Sequence, residues 1–316
     1  MKTLFGVTVA MVTPFKKNGE VDYEAIRQLT NYLIKKGVNC LYPCGTTGEM
    51  LRLSLSERKK IAETVVKTAA GKVTVFVHTG AATEEDTIEL TQHAQKIGAD
   101  GVGVVTPQFF SVNDEEMEEY YVSIGKSVKN TFPIYLYNIP QCAGNDLKTE
   151  TILKITRRCE NVIGVKYSYA DMSRTLEYIH INNGNFSVLH GCDKLFLSLL
   201  LMGCDGTVSG CANVFPEPFV NTYKAYMNMD IAGARKWQEI CVKCVDKLYA
   251  GVNMSYFKEG LKIRGLNGGF MRKPQLDIES KKLETLKKDI ICICKEAKLP
   301  LKLVKQYKPP SGAWET

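Results

Sequence analysis

The sequence predicts an α/β protein in which eight parallel strands and their helices form a closed (β/α)8 TIM barrel, followed by a C-terminal helical extension. Short β-rich runs alternate with amphipathic helical segments from the N-terminus onward, and eight such units follow one another before the strand signal stops. The chain has 316 residues, of which 45% are hydrophobic and 24% charged, which excludes a disordered chain. An open doubly wound sheet is the alternative fold.

The strands are predicted where apolar and β-branched residues form short runs. These runs cover residues 6–10, 38–42, 73–78, 101–105, 133–137, 162–166, 187–190 and 206–209. Helical periodicity is visible between the runs, for example at Ile26, Leu29 and Leu33. Glycines such as Gly37 and Gly98 mark the ends of helices.

No strand is predicted after residue 230. Three helical stretches follow instead, over residues 231–249, 256–264 and 281–298. We therefore divide the chain into a (β/α)8 barrel, residues 1–227, and a helical extension, residues 228–316.

The formal charge of +7 is distributed unevenly along the chain. Residues 1–230 contain 23 Lys and Arg against 25 Asp and Glu, whereas residues 231–316 contain 18 against 9. The lysines of the extension recur at helical spacing with acids among them, which favours a solvated helix face over a nucleic-acid patch. We therefore expect no nucleic-acid partner. No run of 18 apolar residues is present, so we also expect no membrane span.

Eleven cysteines follow no secretory signal peptide, which favours a reducing cytoplasm with the cysteines as buried small hydrophobes. Cys241 and Cys244, together with Cys292 and Cys294, resemble two pairs of zinc ligands. Each pair lies inside an apolar helical pattern rather than in a turn, so we expect no metal site.

Three strand ends carry polar groups that a barrel brings to one rim. The turn Gly45-Thr-Thr-Gly-Glu49 offers hydroxyls and backbone N–H groups to a carboxylate, Tyr137 ends the fifth strand and Lys166 ends the sixth. Singly, each has a structural interpretation, as a glycine-rich turn, a core tyrosine or a solvated lysine. Together they indicate imine chemistry on a 2-oxo acid, because an enclosed amine attacks a keto carbon and a phenol moves the protons.

Five ordered motifs give the chain a family resemblance. They are Gly45-Thr-Thr-Gly-Glu49, Tyr137-Asn-Ile-Pro140, Gly164-Val-Lys166, Gly191-Cys-Asp193 and Ala212-Asn-Val214. Through them the chain resembles the dihydrodipicolinate synthase and N-acetylneuraminate lyase family of pyruvate-dependent class I aldolases.

The resemblance implies a role for several residues. Lys166 would form the Schiff base, Tyr137 would relay protons, and Thr46 and Thr47 would grip the pyruvyl carboxylate. Val208 falls where a backbone carbonyl of the family lies against pyruvate. The resemblance also implies a homotetramer that needs no metal or organic cofactor.

Two departures separate the chain from the synthase branch. The arginine that clamps the carboxylate of aspartate semialdehyde in that branch is replaced by Cys142, which cannot form the bidentate contact of a guanidinium. The second relay tyrosine falls in the segment Gln108-Phe-Phe110, which contains no phenol.

The lyase branch matches in part. Ser168 matches its hydroxyl residue, and Gly191 and Asp193 match its sugar-chain contacts, although Asp193 equally suits a plain helix N-cap. Lys194 stands where that branch has an acid, and Ser209-Gly-Cys-Ala-Asn213 follows the synthase pattern.

The function expected from the sequence is that of a cytoplasmic carbon–carbon lyase with pyruvate and an aldehyde as partners. A sugar-acid or hydroxy-oxo-acid aldolase of the N-acetylneuraminate lyase type ranks first. The alternatives are 4-hydroxy-tetrahydrodipicolinate synthase and a barrel that binds pyruvate without catalysis.

Overall fold

Eight parallel strands close into a barrel in which each strand pairs with its neighbours in sequence and β8 pairs with β1. The computed structural model describes residues 1–250 and 253–301. The strands are β1 (Gly6–Ala10), β2 (Cys40–Tyr42), β3 (Thr74–His78), β4 (Gly101–Val105), β5 (Ile134–Asn138), β6 (Val162–Tyr167), β7 (Ser187–His190) and β8 (Gly206–Ser209). The predicted TIM barrel is confirmed, and the doubly wound alternative is wrong.

The strand ends differ from the prediction by no more than two residues. The largest shift is at β2, which begins at Cys40 rather than Val38. The Val38 N–H still donates to the Leu33 carbonyl of the preceding helix, at 3.4 Å. The side chain of Asn39 accepts from the Val7 N–H of β1, at 2.8 Å. The Asn39 N–H also donates to the Val7 carbonyl of β1, at 3.0 Å, so Asn39 already contacts the sheet just before the regular strand begins at Cys40.

Helices follow each strand and form the outer layer. They are α1 (Tyr23–Lys35), α2 (Leu55–Ala69), α3 (Glu84–Lys96), α4 (Asp114–Lys126), α5 (Pro140–Ala143), α6 (Thr149–Arg158), α7 (Met172–Ile179), α8 (Phe196–Met202), α9 (Pro216–Met227), α10 (Ile231–Lys247), α11 (Ser255–Ile263) and α12 (Ser280–Glu296). Local capping fixes several of the starts, as in α2, where Ser54 and Glu57 form a reciprocal capping box.

Aromatic rings fill the barrel interior where nearby strands carry glycine. Tyr42 of β2 reaches across to β4, where a Cβ at Gly103 would lie 1.9 Å from the Tyr42 hydroxyl. Tyr135 of β5 lies against β6 in the same way, since a Cβ at Gly164 would lie 2.4 Å from its ring. Both tyrosines are fully buried. The interior is therefore a packed core with no room for a methyl group at these glycines.

Replacing Gly103 with alanine should destabilise the protein by about 1–3 kcal/mol, because the new methyl group overlaps the Tyr42 hydroxyl in a packed core. Urea denaturation measures this cost. In a Tyr42→Leu background the shorter side chain leaves room, so the same alanine should cost much less. Equal costs in the two backgrounds would contradict the packing argument.

The helices after the barrel pack onto it. Helix α10 lies along α9, and α12 contacts both α10 and α11. Cys241, Cys244 and Leu248 belong to the same buried cluster as the outer faces of the strands. Helix α9 ends at Met227, where we placed the barrel boundary. The division at residues 227 and 228 stays a prediction, and the extension beyond residue 301 lies outside the described residues.

The cysteines considered as zinc ligands do not share one environment. Cys241, Cys244 and Cys294 are buried, whereas Cys292 is exposed. Cys294 accepts a hydrogen bond from Arg264, at 3.2 Å. In residues 1–250 and 253–301, no group of three or more His, Cys, Asp or Glu side chains is arranged to hold a metal ion. Within the same ranges, no helix has the length and apolar character needed to cross a membrane.

The basic residues of the extension include several in surface ion pairs. Lys243 pairs with Glu296, and Lys247 pairs with Asp289 at 3.2 Å. These pairs join α10 to α12, and their side chains are between 24% and 50% exposed to solvent. This arrangement agrees with the solvated helix face expected from the sequence.

Candidate active site

The Lys166 amine lies inside the barrel between two tyrosine rings. Lys166 is near the end of β6 and is only 4% exposed. Its Nζ lies 3.7 Å from the centroid of the Tyr137 ring and 4.9 Å from that of Tyr42. Tyr137 and Lys166 are also register partners on β5 and β6. The two ring faces would stabilise a positive charge on this nitrogen.

The Tyr137 hydroxyl reaches the turn that follows β2. It lies 3.2 Å from Thr46 Oγ1, a distance at which either group can donate. The turn is closed by the Glu49 N–H, which donates to the Thr46 carbonyl at 3.0 Å. Thr47 faces the end of β8, since a Cβ at Gly210 would lie 3.2 Å from its Oγ1. The structure thus brings Lys166, Tyr137 and the threonine turn to one rim.

The turn is anchored by an ion pair that the sequence analysis missed. Glu49 and Lys258 of α11 are 2.6 Å apart, and both side chains are almost completely buried. Arg52 also contacts Glu49, at 2.7 Å, and the Phe270 carbonyl accepts from Lys258 at 2.8 Å. Burial lowers the pKa of Lys258 to about 8, although Glu49 opposes this shift. The extension therefore holds the threonine turn in place through a buried contact.

Ser168 and Gly191 meet at the rim of the barrel, just after β6 and β7. A Cβ at Gly191 would lie 2.2 Å from Ser168 Oγ, so only glycine allows this approach. Val208 lies on β8 in the interior cluster that also contains Tyr42. Its register partner is Thr8 of β1.

Asp193 is buried in a different environment. Its carboxylate accepts hydrogen bonds from Ser209 Oγ at 2.8 Å and from Thr207 Oγ1 at 3.2 Å. These two residues alternate with the inward-facing Val208, so the carboxylate lies behind β8, away from Lys166. The side chain makes no capping hydrogen bond to the helical turn at residues 193–195 or to α8, which begin beside it, so the N-cap interpretation is wrong. Burial raises the pKa of Asp193 to about 6, although the hydroxyls oppose the shift.

Asp193 should make the stability of the protein depend on pH. The pKa of this carboxyl rises from 3.8 to about 6 on folding, so the folded state binds more protons between these values. Relative to Asp193→Asn, the wild type should lose about 3 kcal/mol of stability as the pH rises from 3 to 8, of which about 2 kcal/mol is lost between pH 4 and 6. Urea denaturation at a series of pH values measures the difference. Parallel pH profiles for the two proteins would contradict it.

The positions that depart from the synthase branch are open to solvent. Cys142 lies in α5 and is exposed. Phe109 and Phe110 are 89% and 76% exposed, and their rings pack edge to face at 5.0 Å. The segment after β4 therefore carries apolar rings at its surface where that branch has a phenol.

Two buried polar side chains beside Lys166 were also missed. Tyr42 follows Cys40 on the inner face of β2, and His78 ends β3. The centroids of the two rings are 5.9 Å apart. Strand alternation could have placed both of them inside the barrel at its carboxyl end.

A closed parallel barrel with a lysine amine, a phenol and a hydroxyl turn at the carboxyl end of its strands has the fold and site of a class I aldolase. Similarity to known proteins supports the assignment to this class. A model described as the dihydrodipicolinate synthetase family matches residues 3–292. The 4-hydroxy-tetrahydrodipicolinate synthase of Aquifex aeolicus is 35% identical over 231 residues, which are 73% of this chain and 78% of that protein.

Relatives with other names are equally similar. A probable 2-dehydro-3-deoxy-D-pentonate aldolase of Escherichia coli is 33% identical over 237 residues, covering 74% of this chain and 78% of that protein. The solved structure of the wild-type sialic acid aldolase of Ruminococcus gnavus matches with a TM-score of 0.88 and 30% identity, covering 93% of this chain and 98% of that one. The chain belongs to the dihydrodipicolinate synthetase family and is a pyruvate-dependent lyase of the class I aldolase type.

Proposed function

We propose that Lys166 forms an imine with the keto carbon of pyruvate, or of a longer 2-oxo acid that the enzyme cleaves to pyruvate. The observation that supports this most directly is the enclosure of the Lys166 amine beside Tyr137, whose hydroxyl contacts Thr46. In the proposed complex the carboxylate of the oxo acid is held by the hydroxyls and N–H groups of Thr46 and Thr47. The Val208 carbonyl lies along the pyruvyl group.

The proposed cleavage begins when the amine adds to the keto carbon and water is lost. The iminium then accepts the electron pair of the breaking carbon–carbon bond, and an aldehyde leaves. Tyr137 moves protons at each stage, and Thr46 orients its hydroxyl. Protonation of the resulting enamine and hydrolysis of the imine release pyruvate. Condensation follows the same steps in reverse.

For the second substrate we propose the aldehyde that is released, together with pyruvate, when a sugar acid or a hydroxy-oxo acid is cleaved. Ser168 and Gly191 lie together at the rim, where the resemblance puts contacts to the sugar chain. The exposed Cys142 provides no guanidinium for a second carboxylate. Because its carboxylate is held behind β8, Asp193 would act on this subsite through the backbone and Gly191 rather than by direct contact.

The alternative activity is that of 4-hydroxy-tetrahydrodipicolinate synthase, which condenses pyruvate with aspartate semialdehyde. It is favoured by the names of several relatives that are about one third identical to this chain. The Thr-Thr turn and the segment Ser209 to Asn213 also follow the synthase pattern.

A substrate panel distinguishes the two activities. Pyruvate release from N-acetylneuraminate and from 2-dehydro-3-deoxy sugar acids is compared with pyruvate consumption in the presence of aspartate semialdehyde. We expect release from a sugar acid. Turnover of aspartate semialdehyde alone would reverse the ranking. The variant Cys142→Arg is the matched control, since a guanidinium should improve the use of aspartate semialdehyde without improving cleavage.

We also propose a homotetramer in the cytoplasm, as the resemblance implies. Sedimentation equilibrium of the purified chain tests the assembly. A monomer at micromolar concentration would contradict it.

A further inference from the structure

Two polar atoms that the proposed mechanism does not use are buried beside Lys166. They are the Tyr42 hydroxyl and His78 Nε2, and neither has a hydrogen-bond partner within the described residues. Tyr42 is fully buried, and His78 is 1% exposed. Burying such groups without a partner costs free energy, so their presence in a barrel core calls for a ligand that satisfies them.

The two groups lie on the same side of the amine. The Tyr42 hydroxyl reaches over Gly103, which is the register partner of His78. The two rings are 5.9 Å apart, and the ring of His78 also meets that of Tyr137 edge to face at 5.8 Å. Lys166 Nζ lies over the Tyr42 ring at 4.9 Å. Both polar atoms therefore lie on the β2–β4 side of the barrel interior, across from β6, which carries Lys166.

The hydrogen bonds of His78 define which of its nitrogens is free to accept. Nδ1 lies 3.1 Å from the Cys44 carbonyl, which only accepts, so Nδ1 carries the proton. Arg58 Nη2 is farther from Nδ1, at 3.4 Å, and donates instead to the His78 carbonyl at 2.9 Å. Nε2 therefore has an unshared electron pair, and the assignment rests on these contacts.

Both side chains stay uncharged at neutral pH. Burial, with the positive charges of Arg58 and Lys166, holds the pKa of His78 well below its usual value. Burial likewise raises the pKa of Tyr42 well above that of a free phenol. The pair thus offers one hydroxyl donor and one nitrogen acceptor, which are complementary to a water molecule.

We propose that Tyr42 and His78 bind the water molecule that leaves when the imine forms on Lys166 and that returns when the imine is hydrolysed. The proposal rests on the proposed function of Lys166. The Tyr42 hydroxyl donates to the oxygen that departs from the keto carbon, and His78 Nε2 accepts a hydrogen of the resulting water. Tyr137, already paired with Thr46, remains available for proton transfer.

The step balances without another reactant. The amine adds to the keto carbon to give a carbinolamine, and the hydroxyl of this adduct takes up a proton as its carbon–oxygen bond breaks. The products are an iminium and one water molecule. Overall, an ammonium group and a keto group give an iminium and water, and hydrolysis is the same step in reverse.

The test compares the rate of imine formation with its extent at equilibrium. Enzyme and pyruvate are mixed, quenched with borohydride at set times, and the fraction of reduced adduct is measured by mass spectrometry. Dissociation is followed by diluting the ¹³C-pyruvate imine into unlabelled pyruvate. For Tyr42→Phe, which keeps the ring, we expect both rates to fall by about 10- to 100-fold, as for the loss of one buried hydrogen bond, with the final fraction unchanged.

His78 provides a second, independent pair of variants. His78→Asn keeps a donor for the Cys44 carbonyl but lacks the acceptor, so it should slow both rates in the same way. His78→Gln places a polar atom where Nε2 lies and should recover part of the loss. Tyr135→Phe, which removes a hydroxyl that accepts from the Leu4 N–H, should alter neither rate nor extent.

The outcomes separate this inference from the proposed function. If the wild type forms no adduct on Lys166, the proposed function and this inference both fail. If the wild type forms the adduct and both Tyr42→Phe and His78→Asn match its rates, only the inference is overturned. A reduced equilibrium fraction with an unchanged approach rate would also overturn it, because that pattern reports a distorted site.

Discussion

Replacement of Lys166 by alanine should abolish the pyruvate adduct and lower turnover by about 10⁴-fold or more, because it removes the amine that we propose as the electron sink. The amine is 4% exposed and lies between the rings of Tyr42 and Tyr137. Lys166→Met fills more of the same space without an amine and should be equally inactive. A loss restricted to the alanine variant would point to packing.

The adduct is located by borohydride reduction with pyruvate, proteolysis and mass spectrometry. Lys258 is an internal comparison, since it is also buried but is bound to Glu49 at 2.6 Å. We expect the added mass on the peptide that contains Lys166 and none on the peptide that contains Lys258. An adduct that persists in Lys166→Ala would exclude Lys166 as the nucleophile.

The fold was accessible from the sequence because each unit of the barrel is defined locally. A strand such as β4 (Gly101–Val105) is apolar throughout. The start of a helix such as α2 (Leu55–Ala69) is defined by a capping box formed by residues close in sequence. The exact start of β2 was not accessible, since it depends on the contact between Asn39 and the neighbouring β1.

The site was accessible only in part. Thr46, Tyr137 and Lys166 stand at strand ends, and the geometry of a barrel brings such ends together. The anchor at Lys258 could not be found in this way, because its partner Glu49 lies more than 200 residues earlier and no local pattern joins them. The environment of Asp193 was missed for a similar reason, since Asp193 follows β7 and its hydroxyl partners belong to β8.

The importance of Tyr42 and His78 emerges only when the barrel is closed. In the sequence, Tyr42 and His78 stand in otherwise apolar strands. The polar atom of such a buried side chain usually has a hydrogen-bond partner in the core. The absence of a hydrogen-bond partner for each, within the described residues, is a property of the assembled interior. Gly103 was a weak indication of this arrangement, because a glycine inside a strand often marks a place where another group approaches the backbone closely.

Replacement of Tyr137 by phenylalanine should lower turnover by about 10²- to 10⁴-fold, the usual contribution of a positioned acid–base group. The ring that faces Lys166 Nζ at 3.7 Å is kept, and only the hydroxyl that contacts Thr46 is lost. Exchange of the methyl hydrogens of pyruvate with D₂O, followed by NMR, should slow in parallel, and this assay needs no second substrate.

Two further variants isolate the cause. Tyr135→Phe makes the same chemical change two residues earlier on the inner face of β5, and we expect near wild-type exchange. Thr46→Val removes the partner of the Tyr137 hydroxyl. At saturating pyruvate, where weaker binding of the carboxylate no longer limits the rate, it should slow exchange in the wild type but add little to Tyr137→Phe. If the two losses multiplied fully, the threonine and the phenol would act independently, and the contact between them would have no part in proton transfer.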